Sequence, residues 1–233
     1  MSTTSTTSAP AACWACSTVL GQSPLVCPAC GKVQPSAGID YYQAFGLERR
    51  LTLDTQGLER EFHRLSRKLH PDRFARASAQ EQEWSLAATA LLNDAYRTLR
   101  DPIQRTEYLL KLSGLKIGEE NSGKSKSAER QPPADLLEEV FDLNMQLEEM
   151  RMNQKMGEDD PALQADLTAA RGKFEGLLAE VDSDLAAKGA DWDAGDATIR
   201  EKAANAMAAL LDRRRYLRNL VRDVNEVLST ATA

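Results

Sequence analysis

Four cysteines and one tripeptide are the residues of this chain best placed to do chemistry. Cys13-x-x-Cys16 and Cys27-x-x-Cys30 set two thiol pairs at the spacing that lets each pair grip one face of a tetrahedral metal, and the ten residues between them suffice for a compact turn. Gly31, directly after the second pair, relieves backbone crowding where the chain turns around the sulfurs. Every cysteine of the chain lies in this stretch, which makes a local site rather than a disulfide framework and favours a reducing compartment. The expected occupant of Cys13, Cys16, Cys27 and Cys30 is a structural zinc ion, because four equal thiolates close the coordination sphere and leave no open position for reaction. A redox or iron-sulfur role for the same residues is the competing reading. So small a head has almost no core and should depend on metal to fold.

The tripeptide is His70-Pro71-Asp72. A histidine beside a carboxylate suggests an acid-base pair, but no nucleophile or open metal site accompanies it, so no catalytic residue is assigned and the chain is expected not to be an enzyme. Its surroundings suggest docking instead. On a helical wheel Leu58, Phe62, Leu65 and Leu69 fall on one side, while Arg60, His63, Arg64 and Arg67 fall opposite. Lys68 and Arg73 flank the tripeptide. In an acidic chain, a cationic helix face beside a projecting anionic loop can steer and register a partner. By charge alone, an ordinary solvated face explains it equally well.

These groups need elements to position them. With 233 residues, 42% of them hydrophobic, the chain has room for one large or two modest domains with real cores. A formal net charge of −6 argues against general affinity for nucleic acid, and no apolar run approaches the length of a membrane span. Residues 1–12 are Ser/Thr-rich and uncharged, lacking the marks of a secretory or transit peptide, and read as a disordered tail. The head covers 13–37, a helical region 38–114, a linker 115–133 ending in Pro132-Pro133, and a second helical region 134–230. In the first helical region a helix stops at Pro71, which pushes His70 out of the α conformation, and a second helix runs from Ala79 to Leu99 with Leu91, Ala95 and Leu99 on one face. The two form an antiparallel pair. β structure is expected only as short hairpins in the head.

The second helical region predicts three helices, Leu136–Met156, Pro161–Ala187 and Ala197–Leu228, with Gly189 and the Asp-rich stretch around Asp191 breaking the chain between the last two. Leu136, Val140, Leu143, Leu147 and Met150 form one apolar stripe, enough to pack a bundle. Leu137, Phe141, Met145 and Met152 form a second stripe where a bundle helix is normally polar. Flanked by Glu138, Asp142 and Glu149, this stripe is either a protein-binding face or a surface covered by another element. In the last helix Ile199, Ala203, Leu210, Leu217, Val224 and Leu228 are the expected core, with Tyr216 turned aside.

The order Tyr41-Tyr42, Phe45-Gly46-Leu47, the basic amphipathic helix, His70-Pro71-Asp72, Asn93-Asp94-Ala95-Tyr96 with Leu99, then Asp101-Pro102, Arg105 and Tyr108 resembles a J domain. Ala134-Asp135-Leu136-Leu137-Glu138-Glu139, Asp191-Trp192-Asp193 and Arg215-Tyr216-Leu217 extend the resemblance to the HscB family, co-chaperones of iron-sulfur cluster assembly. The Cys-rich head is similar to a zinc-binding segment found on some of its members. The implied fold is all-α: a helical-hairpin J domain, then a C-terminal three-helix bundle, preceded by a small four-cysteine, zinc-ribbon-like head.

The resemblance implies that His70, Pro71, Asp72, Arg60, Arg64, Arg67, Lys68 and Arg73 engage a DnaK/HscA-type ATPase chaperone and stimulate its hydrolysis. It also implies that Leu137, Phe141, Asp142, Met145 and Tyr216 bind an IscU-type iron-sulfur scaffold. Glu138 and Met145 depart from the family pattern, which has an apolar and an acidic residue there. A general J protein for unfolded clients and a redox or cluster-binding protein are the alternative functions. The expected state is a monomer or weak dimer in a bacterial-type cytoplasm, with the mitochondrial matrix as the alternative.

Overall fold

The computed structural model describes residues 12–21, 25–115 and 133–231. The expected tail and linker therefore lie outside the described residues, apart from Ala12, Leu115 and Pro133. The chain divides into two compact units, Met1–Leu109 and Leu110–Ala233.

The first unit opens with the head. Its β structure among the described residues is two isolated antiparallel bridges, Ala12 with Val19 and Val26 with Val33. The helices α1 (Tyr41–Phe45), α2 (Thr55–Leu69), α3 (Ala79–Arg100) and α4 (Pro102–Leu112) follow, the last running on into the second unit. Local chemistry sets their ends. Asp40 and Gln43 form a capping box at the start of α1, Asp54 caps α2 through the Gly57 N–H, and Ser78 with Glu81 forms a capping box on α3.

The α2–α3 hairpin buries Leu58, Leu65 and Leu69 from α2 against Ser85, Ala88, Leu92, Ala95 and Leu99 from α3. The buried stripe of α3 therefore passes through Leu92, and the expected Leu91 is only half-buried at its edge. Ala95 lets the helices approach closely, which brings the Phe62 and Tyr96 rings into a stack with centroids 4.2 Å apart. The remaining motif residues hold the hairpin from behind. Buried Arg105 donates to the Leu99 carbonyl at the end of α3, while Tyr108 stacks on Tyr41 at 4.3 Å and accepts from the Tyr41 N–H.

The second unit contains α5 (Leu137–Met156), α6 (Pro161–Ala194) and α7 (Ala197–Ala231), with a 3-10 turn Ala134–Leu136 leading into α5. α6 and α7 form a long hairpin, and α5 lies against both. Leu136, Val140, Leu143, Leu147 and Met150 are all buried, as the stripe predicts. Two expectations fail. The helix does not break at Gly189; that residue is buried inside α6, and the turn comes at Gly195, with Asp196 accepting from the Thr198 and Ile199 N–H groups. A mid-helix glycine costs only about 1 kcal/mol relative to alanine, which packing along a 34-residue helix readily offsets.

The expected core stripe of α7 is also partly wrong: Ala203, Leu217 and Val224 are buried, but Ile199 is exposed, and Leu210 and Leu228 are half-buried. Ala204, Met207, Leu211, Leu220 and Val227 complete the buried seam. A straight helix drifts by about 20° per heptad against a strict seven-residue repeat, so following Leu210, Leu217 and Val224 leaves the seam at one end.

The entry into α5 is pinned by an ion pair. Arg213 on α7 donates to both carboxylate oxygens of Asp135, at 2.9 and 2.7 Å, and holds that carboxyl below its ordinary value of 3.8. A depressed folded-state pKa gives stability that is complete above the unfolded value and is lost as pH falls through the folded one. Arg213→Met should therefore lower the urea midpoint at neutral pH, and its deficit against the wild type should shrink on acidification below the ordinary carboxylate range. A deficit unchanged throughout that range would assign the effect to packing of the arginine stem.

Candidate functional site

Each cysteine pair of the head is a tight backbone turn. The Cys13 N–H donates to the Thr18 carbonyl and the Ser17 N–H to the Cys13 carbonyl; fourteen residues on, Cys27 donates to Lys32 and Gly31 to Cys27, all at 2.8–2.9 Å. The residue after each pair is left-handed, Ser17 at φ 58° and Gly31 at φ 71°, so the second turn uses the residue that tolerates this geometry. The two turns face each other and gather all four Sγ atoms within 4.8 Å, with Cys13 to Cys30 at 3.7 Å and Cys16 to Cys27 at 3.6 Å. A tetrahedral metal with bonds of about 2.3 Å to sulfur has sulfur-sulfur edges of about 3.8 Å. The four cysteines are thiols rather than disulfides and could hold a metal ion.

The surroundings drive two of the thiols in opposite directions. The Thr18 hydroxyl and backbone pull Cys16 down to about 6. Cys30 is pushed up to about 12: the Lys32 backbone lowers it, but burial and the sulfurs of Cys16, Cys27 and Cys13 outweigh that. A divalent ion would remove this conflict.

The His70-Pro71-Asp72 site is built by a backbone problem. Pro71 has no N–H, so the helical ladder of α2 cannot continue, and His70 turns to φ −55°, ψ 129°. The Leu69 carbonyl is instead satisfied from α3, by the Ser85 hydroxyl at 2.6 Å and the Thr89 hydroxyl at 3.2 Å. Beyond it the expected loop is a 3-10 turn, Pro71–Phe74, closed by the Arg73 N–H on the His70 carbonyl and anchored by buried Phe74. His70 Nδ1 faces its own turn, 3.3 Å from the Asp72 N–H and 3.4 Å from the Asp72 carboxylate. The Asp72 side chain is 90% exposed. The groove lined by Thr55, Gln56, Glu59, Tyr96, Arg100, Asp101 and Pro102 lies at the other end of the hairpin from the tripeptide.

The cationic face is exposed at Arg60, His63, Arg64, Arg67 and Lys68, and again at Arg73. Its charges are not equally available. Glu61 engages Arg64, Asp54 stands 3.5 Å from Arg60, and Glu59 lies 3.9 Å from His63. Arg67, Lys68 and Arg73 make no ion pair among the described residues, and they are the three nearest the tripeptide.

On α5 the second stripe is open: Leu137, Phe141, Met145 and Met152 are each more than half exposed, and Asp142 stands among them in solvent. Met156 extends the stripe to the end of the helix. Tyr216 is half-buried on α7, and burial raises its phenol pKa. The Asp135–Arg213 pair joins the start of α5 to α7 one turn before Tyr216, so Leu137 and Tyr216 flank the same junction.

Residues that spacing alone did not reveal surround the cysteine cluster. Gln34, 1% exposed, donates to Cys13 Sγ at 3.3 Å and to the Lys32 carbonyl at 2.9 Å. Lys32 Nζ donates to buried Glu81 on α3 at 2.6 Å and lowers that carboxyl's pKa, and Trp14 meets Trp84 of α3 edge-on at 5.7 Å. Lys32 and Glu81 lie 49 residues apart in the chain, with no local pattern joining them.

Replacing Ser85 by alanine should destabilise the protein by about 1–2 kcal/mol, since a buried carbonyl loses its shorter bond, with a larger loss when Thr89→Val is added. Urea unfolding of the single and double variants checks this. Unchanged midpoints would show that water takes over at Leu69.

Comparison with known proteins agrees with this architecture. Residues 40–108 match the DnaJ domain. Chaperone HscB from Vibrio cholerae superimposes with a TM-score of 0.53 at 25% identity, covering 81% of this chain and 97% of that one. The human co-chaperone protein HscB does so with a TM-score of 0.63 at 23% identity, covering 92% and 97%. A DnaJ-domain match over residues 40–108, a following three-helix unit and a preceding four-cysteine cluster give this chain the fold of the HscB co-chaperones.

Proposed function

We propose that this protein is a non-enzymatic adaptor that stimulates the ATPase of a DnaK/HscA-type chaperone and brings to it an IscU-type iron-sulfur scaffold. The observation that carries the chaperone half is the tripeptide itself: a nearly fully exposed Asp72 on a braced turn, beside three cations that make no ion pair among the described residues. Arg60, Arg64, Arg67, Lys68 and Arg73 would steer an acidic surface, and His70, Pro71 and Asp72 would set its register. The rate gain would arise in the partner's own ATPase centre.

The scaffold half rests on the open stripe of α5. Leu137, Phe141 and Met145, with Asp142 and Tyr216 at the margin, combine apolar anchors with a polar rim, the composition of a protein interface. Met152 and Met156 lengthen the surface by an adaptable, polarizable edge. Likeness to two HscB structures favours a dedicated client over general unfolded chains.

Asp72→Asn should leave circular dichroism unchanged and abolish stimulation of the cognate chaperone's ATPase; normal stimulation by that variant would refute the docking role. Leu137, Phe141 and Tyr216 changed together to alanine should lose scaffold affinity and scaffold-dependent synergy while retaining basal stimulation. Loss of basal stimulation in that triple variant would refute the division of labour.

For the head we propose a structural zinc ion, since four protein thiolates fill a tetrahedral shell. Purified protein should be colourless with zinc in equimolar amount, and strong chelation should unfold residues 12–36. A brown chromophore with bound iron would favour the cluster-binding alternative. Free thiols in such a site suit a reducing compartment, of the bacterial cytoplasmic type or the mitochondrial matrix.

A further inference from the structure

We propose that the metal head is a brace on the first turns of α3, so that metal occupancy sets how rigidly the His70-Pro71-Asp72 turn is held. Its consequence for chaperone stimulation rests on the docking role proposed above; the brace itself does not.

Two contacts fasten the head to α3, and each comes from a different cysteine pair. Trp14 lies inside Cys13-x-x-Cys16, donates its indole N–H to the Val33 carbonyl at 2.8 Å, and presents its ring to Trp84. Lys32 lies two residues past Cys30, has its carbonyl held by the Cys27 N–H, passes 5.8 Å from the Trp14 ring centroid and reaches Glu81. Gln34 links the two sides through Cys13 Sγ and the Lys32 carbonyl. Both contacts come from residues within or next to the cysteine turns, so closure of the turns around the sulfurs sets where Trp14 and Lys32 stand. In so small a head that closure depends on metal.

The receiving surface is continuous with the support of the tripeptide. Glu81, Trp84 and Ser85 occupy adjacent positions of one α3 face. Glu81 holds the helix start through Ser78 and takes Lys32, whereas Ser85 holds the Leu69 carbonyl immediately before His70. The same two helical turns therefore bear the head on one part and the end of α2 on the other. Lys32, Trp14, Glu81 and Trp84 act as positioning residues, at a distance from any partner-binding atom of the tripeptide.

Hydrogen exchange on the full chain, with Zn(II) bound and after chelation, tests this. Reporter amides are Gln82, bonded to the Ser78 carbonyl, with its successors to Ala88, and Arg73, Ala75 and Ala77 in the turn. In the wild type, stripping zinc should speed exchange at both groups by roughly three- to tenfold, the scale of a lost local brace. Lys32→Gln with Trp84→Ala, verified to retain zinc, should exchange at that faster rate already and gain nothing on stripping, whereas Lys32→Arg should behave as wild type. Acceleration confined to residues 12–36 in the stripped wild type would overturn the brace. Chaperone stimulation measured in parallel should fall with zinc loss in the wild type only. No stimulation in any state would count against the docking function, while the exchange rates still decide the brace.

Discussion

One proline governs the packing of the first unit. Pro71 forces His70 out of the α conformation, so α2 ends there, and the Leu69 carbonyl, which a continuing helix would pair with the Arg73 N–H, is left at a buried position where an unpaired acceptor costs about 1–3 kcal/mol. The Ser85 and Thr89 hydroxyls meet that need from a different helix, so the bond that ends α2 also fixes its register on α3. His70 and Asp72 then project because nothing of the helical pattern can fold them back. The exposed turn and the packed hairpin are two results of the same constraint.

The residues of the J-domain pattern separate accordingly into those that build and those that meet solvent. Ala95 permits close approach, Tyr96 stacks on Phe62, Arg105 closes the end of α3, and Tyr108 ties α4 to α1. These side chains do structural work within the unit. What they hold outward is short: the tripeptide, and the basic residues that form no ion pair among the described residues. The four-cysteine cluster reaches the same helix, since Lys32 pairs with Glu81, which stands one turn before Ser85.

Local rules made much of this legible from sequence. Cysteine spacing marked the four residues that the fold gathers into one cluster, proline chemistry gave the end of α2, and three- and four-residue spacing separated the buried from the open stripe of α5. Where longer distance enters, the reading weakens. Gly189 looks like a breaker because propensity is local, yet it is absorbed in the packing of α6 on α7. The α7 seam drifts past Leu210 to Leu211 for a reason that no short window contains. The head's attachment was invisible, because Trp14 with Trp84 and Lys32 with Glu81 unite residues that carry no mutual pattern until the chain has folded.

Two kinds of surface result, and they differ in physical character. The tripeptide region offers charge on a rigid turn, so its attraction acts over about a Debye length, near 8 Å at physiological salt, and weakens as salt rises. The α5 stripe offers apolar side chains that would each gain roughly 1.5–3 kcal/mol on full burial, acting only at contact and depending little on salt. A helix needs one apolar stripe to pack, and Leu136 through Met150 supplies it, so Leu137, Phe141 and Met145 are surplus to the fold. Long-range attraction suits fast, salt-sensitive encounter, whereas contact burial suits slow release. Placing these surfaces on separate units lets each strength be set without altering the other.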